Sequence, residues 1–594
     1  MCRIAGIVDK ALPVADNQRR VIAMCKVLAH GGPDDEGINT EGHVVFGHRR
    51  LAIIDLSNNG HQPMTDVAGK VWITFNGEIY NYLNLRQELV TAGAVFRSQT
   101  DTEVIIQAYL TWGTAAFTKL RGMFAFALHD LRDQRVYLVR DTMGIKPLYY
   151  HIKNGALSFA SEVRAFKAAD IETAEDELWK IRFLAFGHIP EPRTTLKNVL
   201  TLPKGNMLCW DIRSSTYSVT KYAEPGNLPL ITDVAAARAA VRESLTLAVK
   251  RQLIADAPIG VFLSGGIDSS LLTLMASAQK HQQLNTVSIF FNEQNYDEHA
   301  FQKIVSAEIE GEKHSHLVTQ KQFNEGLTSF IAAMDMPTMD GINSYFISKY
   351  AHQDGLKAVL SGLGADELFG GYPSFNRIGY LQKLQKAPPA LLKAIAPFFD
   401  DRYKKLAYLS RPEQLALYLG MRALFAPPDI AALLNCSENE VYNAIFDNQT
   451  YHQCNNCSSF ELASKLESDI YMQNQLLRDT DVMSMSHGLE VRVPFLDEDL
   501  HAVVQSIKPQ LRFDRKQPKK LLIDSFNDIL PKAVWSRPKM GFSFPLQKWM
   551  SEHSAITNEQ FYHGTHTRNV IKGFKKGQLH WSKAFVLYLM QLNE

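Results

Sequence analysis

Cys2 is a residue whose type and position could do chemistry. Removal of Met1 would place it at the chain terminus, with a free α-amine beside its thiol. An α-amine titrates at about 7.7–8.0, so it can act as a base at neutral pH. N-terminal nucleophiles use their own amine in this way. Taken alone, however, an incidental small second residue is the simpler interpretation of Cys2.

A second candidate site lies at residues 261–270, where an apolar run leads into Ser264, Gly265 and Gly266 and then into a helical pattern. The backbone N–H groups of such a loop, and the helix N-terminus behind it, suit phosphate oxygens. The spacing matches neither the Gly-x-x-x-x-Gly-Lys loop nor the dinucleotide fingerprint. We therefore expect a different kind of phosphate loop, with an ordinary strand–turn–helix junction as the alternative.

Residues 358–372 form a similar junction, in which an apolar run leads into Ser361 and Gly362. Each of the two junctions carries an aspartate, Asp268 in the first and Asp366 in the second. Mg²⁺ prefers one or two carboxylates together with phosphates and water. The two aspartates are therefore candidate Mg²⁺ ligands.

About the first 220 residues, which would position Cys2, have the pattern of a β-rich domain. Short apolar runs with polar breaks occur at 44–46, 71–75, 123–128 and 136–139. Asn154-Gly155 between two further runs, 149–151 and 157–160, predicts a hairpin. Helical periodicity is seen at 83–92 and 102–111. This pattern predicts an α+β domain of stacked antiparallel sheets with helices outside.

The elements around the two phosphate-type loops follow a different pattern. Residues 221–229 are aperiodic and contain Pro and Gly, which is typical of a linker. From about residue 235, apolar runs alternate with helical segments: 260–263, 269–279, 286–291, 299–308 and 357–360. Such alternation predicts βαβ units on a parallel sheet. Residues 376–480 and most of the C-terminal end read as helix.

Bulk properties exclude several classes of protein. A chain of 594 residues is too long for one hydrophobic core, so two or more domains are expected. The net charge of +1, without a block of like charge, argues against nucleic-acid binding. No apolar run approaches the roughly 18 residues of a membrane span, and residues 1–10 do not read as a secretory signal. Six scattered cysteines fit a reduced, cytoplasmic location.

Three short motifs give Cys2 a context. They are residues 47–51 (GHRRL), 75–81 (FNGEIYN) and 100–103 (TDTE). In this order and spacing they resemble the glutaminase domain of class II glutamine amidotransferases, which are enzymes of the N-terminal nucleophile type. The loop at 261–270 resembles that of ATP pyrophosphatases, which cleave ATP between the α and β phosphates.

Two further motifs, at 488–497 and 537–542, match the same family as the loop at 261–270. The whole chain resembles the glutamine-hydrolysing (class B) asparagine synthetases. The expected domains are an α+β glutaminase domain at 2–220 and an α/β parallel-sheet, ATP pyrophosphatase-like domain with a helical C-terminal part at 235–594.

The resemblance assigns roles residue by residue. The implied catalytic residues are Cys2 as nucleophile, Asn76 and Gly77 as the oxyanion hole, and Lys539. The implied glutamine-binding residues are Arg50, Ile53, Ile54, Asn76, Gly77, Glu78 and Asp101. The implied ATP-binding residues are Leu263, Ser264, Gly265, Gly266, Asp268, Ser269, Ser270, Ile289, Ser361 and Gly362. The implied metal ligands are Asp268 and Asp366, and Leu363 occupies the acceptor and intermediate site.

These residue types suit the implied reaction. Thiolate attack on the glutamine amide creates an oxyanion that needs fixed donors, and the planar fork of Arg50 matches a carboxylate. The resemblance implies that MgATP then activates a carboxylate as an acyl-adenylate, releasing pyrophosphate. Ammonia passes inside the protein and attacks it. The nominal reaction is aspartate, glutamine and ATP to asparagine, glutamate, AMP and pyrophosphate.

Two departures from the family lie on the acceptor side. Asparagine synthetases usually have Glu where this chain has Leu363, and that Glu is assigned to intermediate formation. Leucine can neither accept a proton nor bind a cation. The family also places Arg and small hydroxyl residues near 340–345, where this chain has no Arg. These departures leave the glutaminase motifs and the loop at Ser264 intact.

Because of these departures, the sequence leaves the identity of the carboxylate acceptor open. Aspartate is the nominal substrate, and a sugar acid in surface-polysaccharide assembly is the alternative within the same chemistry. A more distant alternative is a β-lactam synthetase-like cyclase, but those enzymes lack a working glutaminase. The expected partners are small molecules, with ATP and Mg²⁺ as cofactors and neither nucleic acid nor membrane. The sequence leaves open whether the chain forms a homodimer.

Overall fold

Three β-sheets organise the chain in a computed structural model, which describes residues 2–223, 228–279, 284–395, 401–447, 454, 457–538 and 540–593. The strands in chain order are β1 (Arg3–Val8), β2 (Asp35–Glu41), β3 (Val44–Arg50), β4 (Met64–Thr65), β5 (Val71–Ile79), β6 (Gly122–Asp130), β7 (Arg135–Arg140), β8 (Tyr149–Lys153), β9 (Ala156–Ala160), β10 (Val199–Thr201), β11 (Asn206–Asp211), β12 (Thr216–Lys221), β13 (Ile259–Phe262), β14 (Asn285–Phe290), β15 (Glu312–Leu317), β16 (Ala358–Leu360) and β17 (Glu490–Arg492).

Two antiparallel sheets form the N-terminal part. Their strand orders are β10-β8-β9-β1-β3-β2 and β12-β11-β7-β6-β5-β4. The inward-facing residues of both sheets meet in one buried apolar core, which includes Ile4, Phe46, Ala125 and Leu138. The opposite face of the first sheet packs on the helix Val14–Val27. Successive residues of β1 therefore pack alternately against the second sheet and against this helix. This explains why the strand is buried throughout.

The hairpin predicted at Asn154-Gly155 is confirmed. Strands β8 and β9 pair antiparallel, with Lys153 opposite Ala156. Asn154 and Gly155 both adopt positive φ, at 53° and 74°. Two successive positive φ angles give the turn the twist of the strands that it joins, and Asn-Gly is the favoured sequence for it.

The third sheet is parallel, in the order β15-β14-β13-β16-β17. The chain places β14 on one side of β13 and β16 on the other. The carboxyl ends of β13 and β16 therefore lie at the point where the strand order reverses. In open α/β sheets this crevice is where ligands bind. The loops that begin at Leu263 and Ser361 leave the sheet at this point.

Helices surround the sheets and make up most of the C-terminal part. In chain order they are α1 (Val14–Val27), α2 (Tyr82–Thr91), α3 (Asp101–Trp112), α4 (Arg164–Ala168), α5 (Trp179–Phe186), α6 (Val234–Gln252), α7 (Ile267–Ala278), α8 (His299–Ala307), α9 (Gln320–Ala333), α10 (Ile342–Gln353), α11 (Ala365–Phe369), α12 (Ser374–Leu384), α13 (Pro389–Ile395), α14 (Asp401–Lys404), α15 (Gln414–Arg422), α16 (Pro427–Leu434), α17 (Glu438–Phe446), α18 (Ser459–Leu466), α19 (Arg478–Met485), α20 (Glu498–Ser506), α21 (Pro509–Arg512), α22 (Lys520–Ser525), α23 (Lys532–Trp535), α24 (Leu546–Ser551), α25 (Ser554–Thr557), α26 (Thr565–Lys575) and α27 (Trp581–Leu592).

The expected fold class is confirmed: stacked antiparallel sheets are followed by a parallel sheet with a helical C-terminal part. The predicted strands and helices are present, with ends that differ by a few residues. One feature was not predicted. Between α18 and α19, Glu467–Leu477 is a π-helix, so one continuous helix contains both α-helical and π-helical turns. Such segments are frequent at functional sites.

Two of the six cysteines are paired in the structure, and four are free. Cys454 is joined to Cys457, and the free cysteines are Cys2, Cys25, Cys209 and Cys436. Over the described ranges, no single helix has the length and apolar composition needed to cross a bilayer. The pair α15 and α16 meets that test only together, and it bends by 75°.

Candidate active sites

Cys2 lies immediately before β1 and contacts Asn76, the residue predicted for the oxyanion hole. Its backbone nitrogen, which becomes the α-amine once Met1 is removed, donates to Asn76 Oδ1 at 3.2 Å. Its Sγ lies 3.9 Å from the Leu51 carbonyl oxygen. Burial raises the pKa of the Cys2 thiol, and the nearby Arg50 charge acts in the opposite direction. The thiol therefore needs a base to become a nucleophile, and its own amine is within the same residue.

Asn76 and Gly77 lie on β5 beside Cys2. The Asn76 side chain is fully buried, and its Nδ2 has no hydrogen-bond partner among the described residues. An unpaired buried donor is costly unless something binds there. Gly77 has a φ of 152°, and a Cβ at this position would lie 2.1 Å from the Met123 carbonyl oxygen. The backbone can therefore approach β6 this closely only with glycine. The pair suits an oxyanion next to Cys2.

Arg50 ends β3 and is held by a loop of carbonyl groups. Its guanidinium donates to the carbonyl oxygens of Ser57 at 2.9 Å and Asp55 at 2.5 Å. Carbonyl groups orient the guanidinium without neutralising it, so its charge remains available to a carboxylate. A Cβ at Gly60 would lie 1.8 Å from Arg50 Nη2, so only glycine leaves room for the guanidinium at this point.

The loop after β3 also contains Ile53 and Ile54, whose side chains are buried. The Ile53 carbonyl oxygen accepts from the backbone of Asp256 at 2.9 Å and of Ala257 at 3.2 Å. The Asp256 carboxylate accepts from the Asp55 backbone at 2.8 Å. The predicted glutamine-binding loop therefore rests on the segment that leads into the parallel sheet.

Asp101 opens α3 and accepts from the Ile79 backbone at 2.9 Å. Burial raises its pKa to about 6, so it is mostly ionised at neutral pH. Glu78 lies 3.6 Å from the Arg492 guanidinium, which is held more closely by Glu490 at 2.5 Å. Burial raises the pKa of Glu78 well above its usual range, and Glu490 adds to this effect.

Two carboxylates thus share one cation. Burial opposes the ionisation of Glu490, but its close pairing with Arg492 lowers its pKa. Glu78, at the longer distance, lacks a full counter-charge. A ligand ammonium between Glu78 and Asp101 would supply it, as the predicted role of both residues requires.

The phosphate-type loop after β13 is closed by its own hydroxyl groups. Ser264 Oγ lies 2.9 Å from Ser269 Oγ, and the Gly266 backbone donates to Ser264 Oγ at 3.3 Å. Gly265 has a φ of 84°, and Gly266 is the N-cap of α7. The loop therefore directs a helix N-terminus into the crevice at the carboxyl end of the sheet.

Asp268 and Asp366 converge on one lysine. Lys519 Nζ lies 2.5 Å from Asp268 and 2.6 Å from Asp366. Burial acts against the charge of Lys519, but the two carboxylates raise its pKa. A Cβ at Gly362 would lie 2.8 Å from Asp268 Cβ, so the second loop packs closely on the first.

This arrangement fits a magnesium ion bound together with phosphates. The described residues contain no cluster of three or more metal-ligating side chains. Asp268 and Asp366 supply two carboxylates. Mg²⁺ binds one or two carboxylates when phosphate and water complete its coordination shell.

A cavity of about 300 Å³ lies over these loops. The predicted residues that line it are Ser264, Gly266, Asp268, Ser269, Ser361, Gly362, Leu363 and Asp366. Other residues that line it include Asn343, Ser344, Glu367, Tyr372, Leu476 and Thr480. The predicted ATP-binding residues Leu263, Gly265, Ser270 and Ile289 are not part of the lining. Leu263, Ser270 and Ile289 are buried behind it.

Lys539, the predicted catalytic lysine, lies outside the described residues. Arg537, two positions earlier, donates to the Gly265 carbonyl oxygen at 3.0 Å and pairs with Glu298. Arg537 is therefore fixed on the phosphate-type loop.

Sequence reasoning missed three side chains that contact these sites: Lys519, Glu367 and Arg492. Glu367 and Arg492 lie inside motifs that were recognised, so the motifs contained the signal. Lys519 lies in a run of lysines, and nothing in its sequence context distinguishes it from a surface residue.

Comparisons with known proteins match both halves of the chain. Residues 1–223 match the glutamine amidotransferase domain family, and residues 240–572 match the asparagine synthase family. The chain is 32% identical to asparagine synthetase [glutamine-hydrolyzing] 1 of Bacillus subtilis, over 93% of this chain and 88% of the relative. It is 30% identical to a putative asparagine synthetase of Mycobacterium tuberculosis (90% and 85%). It is 27% identical to Amidase chry2 of Gibberella zeae (88% and 84%).

Proposed function

Because this chain belongs to the glutamine-hydrolysing asparagine synthetase family, we propose that it amidates a carboxylate acceptor through an acyl-adenylate, with ammonia released from glutamine at Cys2. The family uses ATP, so ATP is the activating substrate. The observation that carries the proposal is that one chain holds Cys2 beside the unpaired Asn76 Nδ2 and also holds a phosphate-type cavity at the edge of the parallel sheet.

The glutaminase half of the reaction follows from the first site. Arg50 binds the glutamine carboxylate, while Glu78 and Asp101 bind its ammonium. Cys2 Sγ attacks the amide carbon, and its α-amine takes the thiol proton and passes it to the leaving ammonia. Asn76 Nδ2 and the Gly77 N–H stabilise the oxyanion of each tetrahedral intermediate. Water then hydrolyses the thioester to glutamate.

The structure offers a short physical connection between the two sites. Arg3, next to Cys2, donates to Glu162 and to Asp481 at 2.7 Å each. Lys146 reaches the same Asp481 at 2.8 Å. The neighbouring Thr480 lines the cavity over the phosphate-type loop. Helix α19 therefore contacts Arg3, next to Cys2, and also lines the second cavity. We propose that ammonia passes between the two sites beside this helix. Keeping ammonia inside prevents its protonation by bulk water.

The synthetase half follows from the second site. The Ser264 loop and the N-terminus of α7 bind phosphate oxygens, and Asp268 with Asp366 would hold Mg²⁺. When bound, Mg²⁺ neutralises charge on the phosphates. The acceptor carboxylate attacks the α-phosphorus, which releases pyrophosphate and leaves the acyl-adenylate. Lys539 is proposed to stabilise charge in this step.

Aspartate is the nominal acceptor, with asparagine as the product. Leu363, which lines the cavity where the family usually has a carboxylate, favours a second candidate: another carboxylate, such as a sugar acid. Steady-state kinetics at saturating MgATP and glutamine separates them. A kcat/KM for aspartate of at least about 10⁴ M⁻¹s⁻¹, the lower end of the usual enzyme range, establishes aspartate. A much lower value, with efficient turnover of galacturonate or glucuronate, establishes the sugar acid.

A further inference from the structure

The side chain of Arg3 joins the two halves of the chain directly beside the nucleophile. Arg3 is fully buried, its Nε donates to Glu162 at 2.7 Å, and its Nη1 donates to Asp481 at 2.7 Å. Glu162 belongs to the glutaminase half (1–223), whereas Asp481 lies on α19 in the synthetase half (240–572). A planar guanidinium that binds two carboxylates has little freedom to move. Arg3 is therefore fixed to both halves at once.

The position of Cys2 depends on how firmly Arg3 is held. Strand β1 pairs with β3 at Arg3, but it pairs with β9 only from Ala5 onwards. The Arg3 backbone is therefore held in the sheet by one neighbouring strand, and the side-chain contacts add to it. Once Met1 is removed, Cys2 is the first residue, so its one covalent neighbour is Arg3. A shift of Arg3 would be passed directly to the nucleophile.

The residues proposed to bind glutamine are held by other contacts. Arg50 donates to carbonyl groups of the loop that follows it, and Asp101 accepts from the Ile79 N–H. These contacts do not involve Arg3. A change at Arg3 should therefore move the Cys2 thiol and leave the affinity for glutamine almost unchanged.

Asp481 is suited to hold Arg3 as a charged partner. It is buried, and Lys146 of the glutaminase half donates to its other carboxylate oxygen at 2.8 Å. Burial opposes the ionisation of Asp481, but the charges of Arg3 and Lys146 hold its pKa below the usual range. The preceding residue, Thr480, lines the synthetase cavity. The partner of Arg3 therefore lies on the helix that forms part of the second site.

We propose that Asp481 of the synthetase half is a positioning residue for glutamine hydrolysis, acting through Arg3 on Cys2; this inference rests on the proposed function. The ion pair holds the Cys2 thiol where it can attack the bound amide. The chemical step then depends on a side chain from the other half of the chain, whereas glutamine binding does not. A misplacement of about 1 Å can lower the rate of a chemical step about 10²-fold.

Arg3→Met removes the connection and leaves each carboxylate with another cation. Asp481 keeps Lys146, and Glu162 keeps Arg164 at 2.8 Å. The kcat of glutamine hydrolysis, measured as glutamate formed without ATP or acceptor, should fall about 10²-fold. The KM for glutamine should stay within about threefold of wild type, because uniform binding is unchanged. Pyrophosphate release with ammonium chloride and aspartate or galacturonate should stay near wild type.

Arg3→Lys is the conservative variant. It keeps the buried charge, but an ammonium group cannot present a planar fork to two carboxylates. Its kcat should lie between those of wild type and Arg3→Met, about tenfold below wild type, again with little change in KM. If Arg3→Met does not fold, Arg3→Lys decides the question. Intact mass checks that Met1 is removed from each variant, since a retained Met1 would itself block the Cys2 amine.

Lys146→Met is the matched control. Lys146 is as buried as Arg3, comes from the same half and binds the same Asp481, but it is not next to Cys2. Because the pair of Arg3 with Asp481 remains, the kcat of Lys146→Met should stay within about threefold of wild type. This variant is also the background in which Asp481 itself is tested.

The double variant Lys146→Met/Asp481→Leu replaces a buried ion pair by apolar side chains and leaves Arg3 paired with Glu162. Such replacements are often neutral for stability. Its kcat should nevertheless fall towards that of Arg3→Met, because the partner from the synthetase half is gone.

Three results would overturn the role of Asp481: a wild-type kcat in the Arg3 variants, equal kcat values for Lys146→Met and the double variant, or falls in kcat that are matched by changes in KM and in the ammonium-dependent reaction. If wild type does not hydrolyse glutamine, the proposed function itself fails, and the role of Asp481 fails with it.

Discussion

The two active sites of this chain are built in opposite ways. The glutaminase site is assembled from strands of both antiparallel sheets, and its groups are held by uncharged partners: Arg50 by backbone carbonyl groups and the Cys2 nitrogen by the Asn76 side chain. The synthetase site is assembled from loops at the end of a parallel sheet, and it is held by a buried ion-pair cluster centred on Lys519. In the proposed function, the first site would bind glutamine without breaking an ion pair, whereas in the second site MgATP would have to replace the contacts of Lys519 with Asp268 and Asp366.

The two sites are therefore sensitive to different kinds of substitution. A preorganised oxyanion hole depends on geometry, so small changes of position are costly. A cluster of two carboxylates and one lysine depends on charge balance, because removal of one partner leaves a buried charge uncompensated. The comparison predicts that substitutions in the second site abolish all product, while those in the first abolish only the use of glutamine.

Asp268→Ala carries the largest expected effect. It removes a proposed Mg²⁺ ligand and one partner of Lys519, so no product should form with either glutamine or ammonium. Glutamine hydrolysis should continue, because Cys2 and Asn76 belong to the other site. The measurements are pyrophosphate release and glutamate formation. Asp524→Ala is the matched control, since this carboxylate also pairs with a lysine, Lys520, but lies outside the cavity. Normal pyrophosphate release by Asp268→Ala would contradict the assignment.

Cys2→Ala should have an equally complete but narrower effect. Glutamine hydrolysis should fall to background because no other nucleophile replaces the thiol, while product formation from ammonium salts should remain near wild type. Cys25→Ala is the control: burial raises the pKa of the Cys25 thiol to about 12, and it packs in the apolar core. Glutamine-dependent product at the wild-type rate in Cys2→Ala would break the division between the two sites.

The sequence anticipated the glutaminase site better than the synthetase site, for a physical reason. Cys2, Arg50 and Asn76 lie in or beside strands whose apolar pattern can be read, and the short motifs around them fix the register. Lys519 could not be anticipated, since its partners come from two distant loops and its neighbours resemble a solvated surface. The fold class followed from the change of periodicity near residue 235.

The contact between the two halves was also beyond the sequence. Arg492 was recognised as part of a motif, but its pairing with Glu78 depends on how the two sheets dock. The π-helix at Glu467–Leu477 likewise has no local sequence signal, because its hydrogen-bond pattern is imposed by tertiary packing. Local sequence propensity determines which helices and strands form. The packing of these elements against one another determines which charged residues meet.

Loss of the Asp101 charge should have the smallest effect of these changes. This effect is on glutamine binding at the first site, and it depends on pH. Burial raises the pKa of Asp101 to about 6, so this carboxylate is charged at neutral pH and loses its charge as the pH falls through that value. The protonated form cannot attract the glutamine ammonium, and the KM for glutamine should rise about tenfold between pH 7 and pH 5. Glutamine should therefore bind most strongly above the pKa of Asp101 and more weakly below it.

The measurement is the KM for glutamine in the hydrolysis reaction alone, without ATP or acceptor, so that the synthetase site does not contribute. Asp101→Asn should show a raised KM at all pH values and a flat profile, because the amide carries no charge at any pH. It also retains an oxygen for the Ile79 N–H. A wild-type KM that is constant from pH 7 to pH 5 would mean that Glu78, with its charge shared through Arg492, binds the ammonium without Asp101.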